Sequence, residues 1–413
     1  MKIRPPHLET ETLSRSAYNL YERLGRGFMI TAIGVLLGVL VSFSALAIFG
    51  LVDAMLLSWR PEGELGHVGY TGFYPILFIV PLGAAMGVGF LLWLLAPETP
   101  VELADVIAIA HQPDPATPQV SGYASLVKSI IAVGSGASAG LYGPLLVLGA
   151  SLAGSVRKIL RLSPEHAEMA LGAGVAAAIS GTFSAPLAGI VFAHEVVLRH
   201  YSLRFFAPVS IASATAYVIS GEMFPSQVDL LASLSTKAAS AIDIGMLIVL
   251  GLFAGLLAVA MMRLLNWTRR RVEKNNLPVW LRPILAALGI GVLAHLSPSI
   301  LGAGLDVMDV MLQGKLAALD LAFLVGLKIL ASCLCLALFF HGGVLAPSLF
   351  VGAGLGGCVA AMLTALAPFT GYQPDAGLFA LAGMAALASC VIGSPLAMIL
   401  ISFELGHDYN ATT

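Results

Sequence analysis

The glycine-rich run at residues 134–149 is the stretch whose residue types point most directly to chemistry. It reads GSGASAGLYGPLLVLG within a long apolar region. Proline suits the first turn of a helix, and glycine lets the backbone approach a ligand closely. We therefore predict a helix that ends near Ser135, a bare turn at 140–143 and a new helix from Pro144. An anion at the new helix's N-terminus would satisfy its unpaired N–H groups and its dipole. A packed helix kink is the alternative.

The same pattern occurs again in the second half of the chain. GLYGPLLVLGASLAG (140–154) matches GVLAPSLFVGAGLGG (343–357), and in each copy glycines follow the proline at the same offsets. SAPLAGIVFAHE (184–195) likewise matches the segment that ends in SPLAMILISFE (394–404). Two matches in the same order indicate an internal repeat. Repeated halves with broken helices in corresponding positions predict a transport site near the membrane midplane.

Charged side chains inside apolar segments are functional candidates by default. Glu195 and Glu404 each follow the proline of their repeat by nine residues. Their equivalence favours a shared structural role, such as capping neighbouring backbone. His194 is interpreted as a packing residue, with proton handling as the lesser alternative. Lys128 and Lys328, which precede the two breaks, are expected to add positive potential along an anion path or to snorkel to an interface.

The composition defines the class of protein. The chain has 413 residues, of which 58% are hydrophobic and 11% charged, and its mean hydropathy is +0.92. Segments 29–51, 73–95 and 244–262 each exceed the roughly 18 apolar residues that indicate a membrane span. The sequence therefore predicts an all-α polytopic membrane protein. Basic residues cluster before the first span and at 269–282, which predicts a cytoplasmic N-terminus in the inner (plasma) membrane.

Metal sites and enzymatic chemistry find no support in the sequence. All four cysteines lie in apolar segments and are interpreted as packing residues. The segment HEVVLRH places His194 and His200 six residues apart, on different helix faces, whereas a zinc protease motif needs them one turn apart. No Walker-type phosphate loop occurs, which argues against an ATP-driven pump. We expect no enzyme, no metal, no cofactor and no nucleic-acid partner.

The breaks GLYGP and GGVLAP, the SAPLAGIVFAHE segment and the tyrosine of ELGHDY together resemble the CLC family of chloride channels and transporters, over about residues 28–409. The resemblance implies a CLC-type inverted repeat of tilted and broken helices, and a homodimer with one pore per subunit. It implies bound chloride, held by half-helices that begin near Thr99, Tyr142 and Leu345 and by the hydroxyl of Tyr409. The implied anion-binding and pore residues are Thr99, Gly140, Leu141, Tyr142, Gly143, Gly343, Val344, Leu345, Ala346 and Tyr409.

The chain also departs from the family at three positions. The first break usually reads Gly-Arg-Glu-Gly-Pro, and its glutamate gates the pore and carries protons, but this chain has Tyr142 there. The inner proton-relay glutamate of family antiporters is replaced by Val196. The usual Gly-Ser-Gly-Ile-Pro of the first half-helix is missing; Thr99, in a Thr99–Glu102 capping box, is the nearest hydroxyl.

These features predict passive, proton-uncoupled transport of chloride or a related halide. The alternatives are a proton-coupled antiporter that uses Glu195 or His194, and a non-conducting structural or sensory relative. Tyr142 is expected to narrow the outer pore and to donate a hydrogen bond to the anion or to Tyr409. We expect a cytoplasmic segment (1–27) and two transmembrane repeats (28–235 and 236–413). We expect the second repeat to end before the last helix that the family implies after Tyr409.

Overall fold

Helices account for the architecture of this protein in a computed structural model. The structure describes residues 7–60, 74–94, 101–112, 119–223, 240–338 and 340–406, with side chains from Phe28 onward. Fifteen α-helices and no strands are present in these ranges. They are α1 (His7–Trp59), α2 (Ile76–Leu94), α3 (Leu103–Ala110), α4 (Gln119–Gly134), α5 (Tyr142–Leu160), α6 (Pro164–Phe183), α7 (Pro186–Phe192), α8 (Leu203–Met223), α9 (Ala241–Lys274), α10 (Arg282–Leu296), α11 (Leu305–Leu312), α12 (Ala318–Ala337), α13 (Leu345–Thr370), α14 (Ala376–Ile392) and α15 (Pro395–Gly406).

Eight helices in the described ranges are long and apolar enough to cross a membrane, so the prediction of a polytopic membrane protein is confirmed. The three predicted spans fall in α1, α2 and α9. The apolar part of α1, Phe28–Trp59, has 32 residues. At about 1.5 Å per residue it is longer than a hydrocarbon core of roughly 30 Å, which favours a tilted crossing.

Close helix crossings repeat in the two halves. A Cβ atom added at Gly149 on α5 would lie 2.3 Å from the carbonyl oxygen of Gly174 on α6. A Cβ atom added at Gly352 on α13 would lie at the same distance from the carbonyl oxygen of Gly383 on α14. Gly149 and Gly352 occupy equivalent positions of the predicted repeat. The repeat is therefore present in the packing as well as in the sequence, because small residues let equivalent helix pairs approach closely.

Two predicted helix starts need correction. Helix α3 begins at Leu103, so the predicted start near Thr99 is wrong. Its N-cap is Glu102, in an extended conformation (φ −107°, ψ 172°), and Asp105 completes the capping box. This acidic pair places the box three residues later than the predicted Thr99–Glu102 box; Thr99 itself lies outside the described residues. Helix α5 begins at Tyr142 rather than Pro144, since proline is tolerated anywhere in the first turn, where N–H groups have no intrahelical partner.

Candidate functional site

The two predicted breaks meet each other in space. The N–H of Gly140 donates to the carbonyl oxygen of Gly343 at 3.0 Å, and the N–H of Gly343 donates back to Gly140 at 2.7 Å. The pair forms an isolated antiparallel bridge between equivalent positions of the two repeats. A Cβ atom added at Gly140 would lie 2.4 Å from the Cβ of Ala346, so a larger residue could not be accommodated without movement.

Two helix N-termini lie side by side at this bridge. Helix α5 begins two residues after Gly140, and α13 begins two residues after Gly343, as predicted for Tyr142 and Leu345. Within the described residues the N–H groups of Tyr142, Gly143, Leu345 and Ala346 donate no hydrogen bond. The meeting point therefore combines four unpaired donors with the positive ends of two helix dipoles, an arrangement that favours an anion.

Tyr142 packs in an aromatic cluster beside the bridge. Its ring stacks on Phe183, with centroids 4.4 Å apart, and tilts against Phe49 at 6.2 Å. The side chain is only 7% exposed. Its hydroxyl makes no hydrogen bond to any described residue. The predicted bond to Tyr409 stays a prediction, because Tyr409 lies outside the described residues.

One cavity, here called the tyrosine cavity, lies against the exposed edge of this aromatic cluster. Its volume is about 370 Å³. The wall is mostly apolar and comes from both halves of the chain. Arg60 and Asp306 in the wall form an ion pair, with Nη1 and Oδ2 3.0 Å apart. The polar residues of the wall are Asp53, Arg60, Tyr142, Thr182, Asp306 and Ser402.

A second cavity, here called the break cavity, adjoins the bridge through Gly343. Its volume is about 260 Å³, and no residue lines both cavities. Its wall includes Gly143, Pro144 and residues 342–345, so it contacts the start of α5 and of α13. Glu102 in this wall accepts a 2.8 Å hydrogen bond from Nη2 of Arg269. The other polar side chains of the wall belong to Ser125, Ser129, Asn266 and His341.

Helix α10 lies in the chain between a wall residue of the break cavity and a wall residue of the tyrosine cavity. Arg269, in the wall of the break cavity, lies near the end of α9, shortly before α10 begins at Arg282. The chain after α10 leads to Asp306, in the wall of the tyrosine cavity. The 15 residues of α10 span roughly 22 Å at about 1.5 Å per residue. One cavity thus includes a residue that precedes α10 and the other a residue that follows it, and both adjoin the start of α5, through Gly143 and Tyr142.

Glu195 and Glu404 tie the two repeats together, as the predicted capping role requires. The carboxylate of Glu404 accepts the N–H groups of Leu187 and Ala188, both at 2.8 Å, at the start of α7. The carboxylate of Glu195 accepts the N–H groups of Leu396 and Ala397, at 3.1 and 2.9 Å, at the start of α15. Each repeat thus caps a helix of the other repeat with an equivalent residue. The preferred interpretation of both acids is confirmed.

The remaining polar candidates have structural surroundings. His194 is 1% exposed, its Nδ1 lies 2.8 Å from the carbonyl oxygen of His200, and its ring stacks with Tyr201 and Phe206, which confirms it as a packing residue. Val196 is buried in the apolar core. Among the described residues no group of three or more His, Cys, Asp or Glu side chains could hold a metal ion.

The two lysines do not snorkel, so that alternative is wrong. Both are buried, and Lys328 is completely so. Its Nζ donates to the carbonyl oxygens of Ile300 and Gly302, at 3.0 and 2.8 Å, and lies 4.9 Å from the ring centre of Phe350. Lys328 therefore fixes the loop before α11. Whether either lysine adds potential to an anion path stays a prediction.

Several residues that line the cavities were not predicted from the sequence. Asp53 lies just past the predicted first span and was assigned to no element, although α1 in fact continues to Trp59. Arg60–Asp306 and Glu102–Arg269 pair residues that are far apart in the chain, so no local pattern could reveal them. The signal that was available for Asp53 is spacing: residues 49, 53, 56, 57 and 60 share one face of a helix, and all line the tyrosine cavity.

The fold and the opposed helix breaks define an all-α polytopic membrane protein built from two repeats. The family model described as voltage gated chloride channel matches residues 83–413, and the chain belongs to this family. The resemblance stated from the sequence motifs is thereby confirmed.

Curated relatives agree with this assignment. The chain is 30% identical to chloride channel protein CLC-f of Arabidopsis thaliana, over 69% of this chain and 38% of that protein. It is 30% identical to the putative chloride channel protein ClcB-like of Ralstonia nicotianae, over 70% of this chain and 69% of that protein. It is 25% identical to the H(+)/Cl(−) exchange transporter ClcA of Klebsiella pneumoniae, over 98% and 89%. The chain thus spans well under half of the plant relative's length.

Solved structures share the fold. A slow cyanobacterial Cl−/H+ antiporter superposes with a TM-score of 0.77 at 19% identity, covering 92% of this chain and 89% of that chain. A CLC-type fluoride/proton antiporter superposes with a TM-score of 0.75 at 21% identity, covering 95% and 93%. The predicted fold class, with its broken helices in two halves, is the observed one.

Proposed function

We propose that this protein carries chloride or a related halide passively across a membrane, without coupling to protons, through a pore in each subunit of a homodimer. The observation that carries the proposal is the Gly140–Gly343 bridge, where two helix N-termini present unpaired N–H groups between two cavities. Such donors replace the hydration of an anion at low cost. The relatives named as chloride channels and exchangers support the same substrate class.

The absence of coupling rests on two residues. Tyr142 occupies the position of the family's gating glutamate, and a phenol with a reference pKa of about 10 does not exchange protons readily near neutral pH. Val196 occupies the position of the inner proton relay and lies in the apolar core. Both oxygens of Glu195 accept backbone N–H groups. His194 is buried, its ring stacks with Tyr201 and its Nδ1 lies 2.8 Å from the carbonyl oxygen of His200, while its Nε2 has no hydrogen-bond partner among the described residues.

A proton-coupled antiporter is the second candidate, because both solved structures compared above are named as antiporters. In that case Glu195 or His194 would have to carry the proton. A non-conducting relative is the third. We propose further that the protein lies in the plasma membrane with a cytoplasmic N-terminus. The tyrosine cavity then faces outward and the break cavity faces the cytoplasm. We expect it to need no cofactor and to catalyse no chemical reaction.

The decisive experiment is a flux assay on purified protein in liposomes under a chloride gradient. We expect chloride efflux with no uphill movement of protons, recorded by a chloride electrode and a pH electrode in the same vessel. A ClcA-type exchanger in matched liposomes is the positive control for coupling, and empty liposomes are the control for leak. Uphill proton movement that follows chloride would contradict the uncoupled proposal. Absence of both flux and calorimetric anion binding would favour the non-conducting relative.

A further inference from the structure

Asp53 is the charged residue of the tyrosine cavity that the described structure leaves without a partner. Arg60 and Asp306 in the same wall neutralise each other at 3.0 Å. Asp53 has neither an ion pair nor a hydrogen bond among the described residues, and its side chain is exposed. It lies one helical turn from Phe49, which contacts the ring of Tyr142. A free carboxylate therefore faces the cavity that adjoins the aromatic cluster.

The wall of the cavity limits which groups can modulate this carboxylate. Its charged or titratable residues are Asp53 on α1, Arg60 directly after α1, Tyr142 on α5 and Asp306 on α11. Helices α6, α13, α14 and α15 contribute only neutral side chains to the wall, and α4 and α8, which also pack against α1, contribute none in the described chain. With Asp53 ionised the cavity carries one net negative charge, and a negative charge in a confined space repels anions.

We propose that Asp53 is the titratable gate of this anion path: its ionised carboxylate hinders anions from entering the tyrosine cavity, and its protonation admits them. The inference rests on the proposed function, because it assigns a control residue to the same path. At the first break, Tyr142 occupies the position of the family's gating glutamate. Asp53 on the neighbouring helix α1 thereby supplies the titratable group that this break lacks. The carboxylate is charged at neutral pH and becomes neutral in acid, so anion flux should rise as the pH falls.

Chloride flux through the intact protein in liposomes, measured from about pH 7 to about pH 4, tests this inference. Asp53→Asn should raise flux at pH 7 on the order of three- to tenfold, because one like charge is removed from the path. It should also make chloride flux nearly independent of pH, at the value that the wild type reaches at acidic pH. Asp53→Glu keeps the carboxylate and should keep the pH dependence. The matched control is Asp309→Asn, on α11 like Asp306 but outside both cavities, where the carboxylate accepts a bond from Gln313.

The comparison between the wild type and the Asp53 variants decides the test, because the wall of the break cavity also contains a carboxylate and an imidazole, those of Glu102 and His341. A wild-type pH profile that Asp53→Asn leaves unchanged would overturn the inference while the proposed function stands. Absence of chloride flux in the wild type would overturn the proposed function itself. If Asp53→Asn does not fold, Arg60→Gln gives an independent test. It leaves Asp306 unpaired and Asp53 in place, so flux at pH 7 should fall; an unchanged or higher flux would overturn the inference.

Discussion

The ring of Tyr142 lies in the wall of the tyrosine cavity, two residues after the bridge residue Gly140. The ring is stacked on Phe183 and tilted against Phe49, and little of it is exposed. The residue was identified from the sequence because glycines flank the Leu141–Tyr142 pair and because the repeat marks the break. Its aromatic partners could not be identified in the same way, since Phe49 and Phe183 come from α1 and α6 and meet Tyr142 only after those helices pack.

Replacing Tyr142 by alanine should raise chloride flux on the order of three- to tenfold. The reason is that the ring is lost while the N–H donors at the start of α5 remain. The same change should lower stability, since loss of a stacked aromatic pair costs about 0.5–1.5 kcal/mol beyond the area it buries. Flux in liposomes and thermal unfolding in detergent measure the two effects.

Tyr142→Phe is the matched control, because it keeps the ring and removes only the hydroxyl. It should retain wild-type flux if the ring alone narrows the path. A fall in chloride binding or selectivity would assign the hydroxyl to the anion. Unchanged flux through a folded, dimeric Tyr142→Ala protein would show that Tyr142 is a packing residue.

At the scale of elements, α7 and α15 are joined by two carboxylates that each cap the other repeat's helix. Carboxylates near helix N-termini are stabilised by the dipole and form charge-assisted hydrogen bonds. Both glutamates are partly buried, and each makes one exposed and one partly buried bond. The role was predictable only because the repeat places both glutamates at the same offset.

Glu404→Gln should lower the free energy of unfolding by about 1–3 kcal/mol, since an amide can accept only with its single oxygen. Glu195→Gln should have a similar effect, because its contacts are equivalent. Thermal unfolding in detergent measures both. Glu222→Gln, exposed at the end of α8, is the matched control and should change little. Equal stability of Glu404→Gln and Glu222→Gln would contradict the capping role.

The residue pattern alone predicted the start of α5 at Pro144, two residues after the observed start at Tyr142. The family resemblance implied starts near Tyr142 and Leu345, and both agree with the structure. The start of α3 had no second copy to check against. The sequence fits the usual Thr-Xaa-Xaa-Glu capping box at Thr99–Glu102, whereas the structure has Glu102 as the N-cap and Asp105 as its partner.

At the scale of the whole molecule, the two cavities both adjoin the start of α5, and we propose that they open to opposite sides of the membrane. The tyrosine cavity contains the end of α1, and the break cavity contains Arg269, from the basic end of α9. Neither cavity could be predicted from the sequence, because the wall of each cavity combines residues from both halves of the chain. Only the charge distribution was available, and it predicts that the basic ends are cytoplasmic.

Cysteine labelling in vesicles of known orientation should therefore place the cavities on opposite sides. In a background that carries Cys390→Ser, because Cys390 is exposed, Arg60→Cys should react with a membrane-impermeant thiol reagent from outside. Arg269→Cys should react only from the cytoplasmic side. Each change breaks a partly exposed ion pair, which typically contributes only about 0–1 kcal/mol, so folding should persist. Labelling of both from one side would contradict this arrangement.

The Gly140–Gly343 bridge also has a consequence for the origin of the fold. A two-residue antiparallel bridge between equivalent positions is self-complementary, because each glycine donates one hydrogen bond to the other and accepts one from it. The caps exchanged by Glu195 and Glu404 have the same property. Contacts of this kind characterise the isologous interface of a two-fold symmetric dimer. A single ancestral half, paired with a second copy of itself, would make every one of these bonds before gene duplication joined the two copies into one chain.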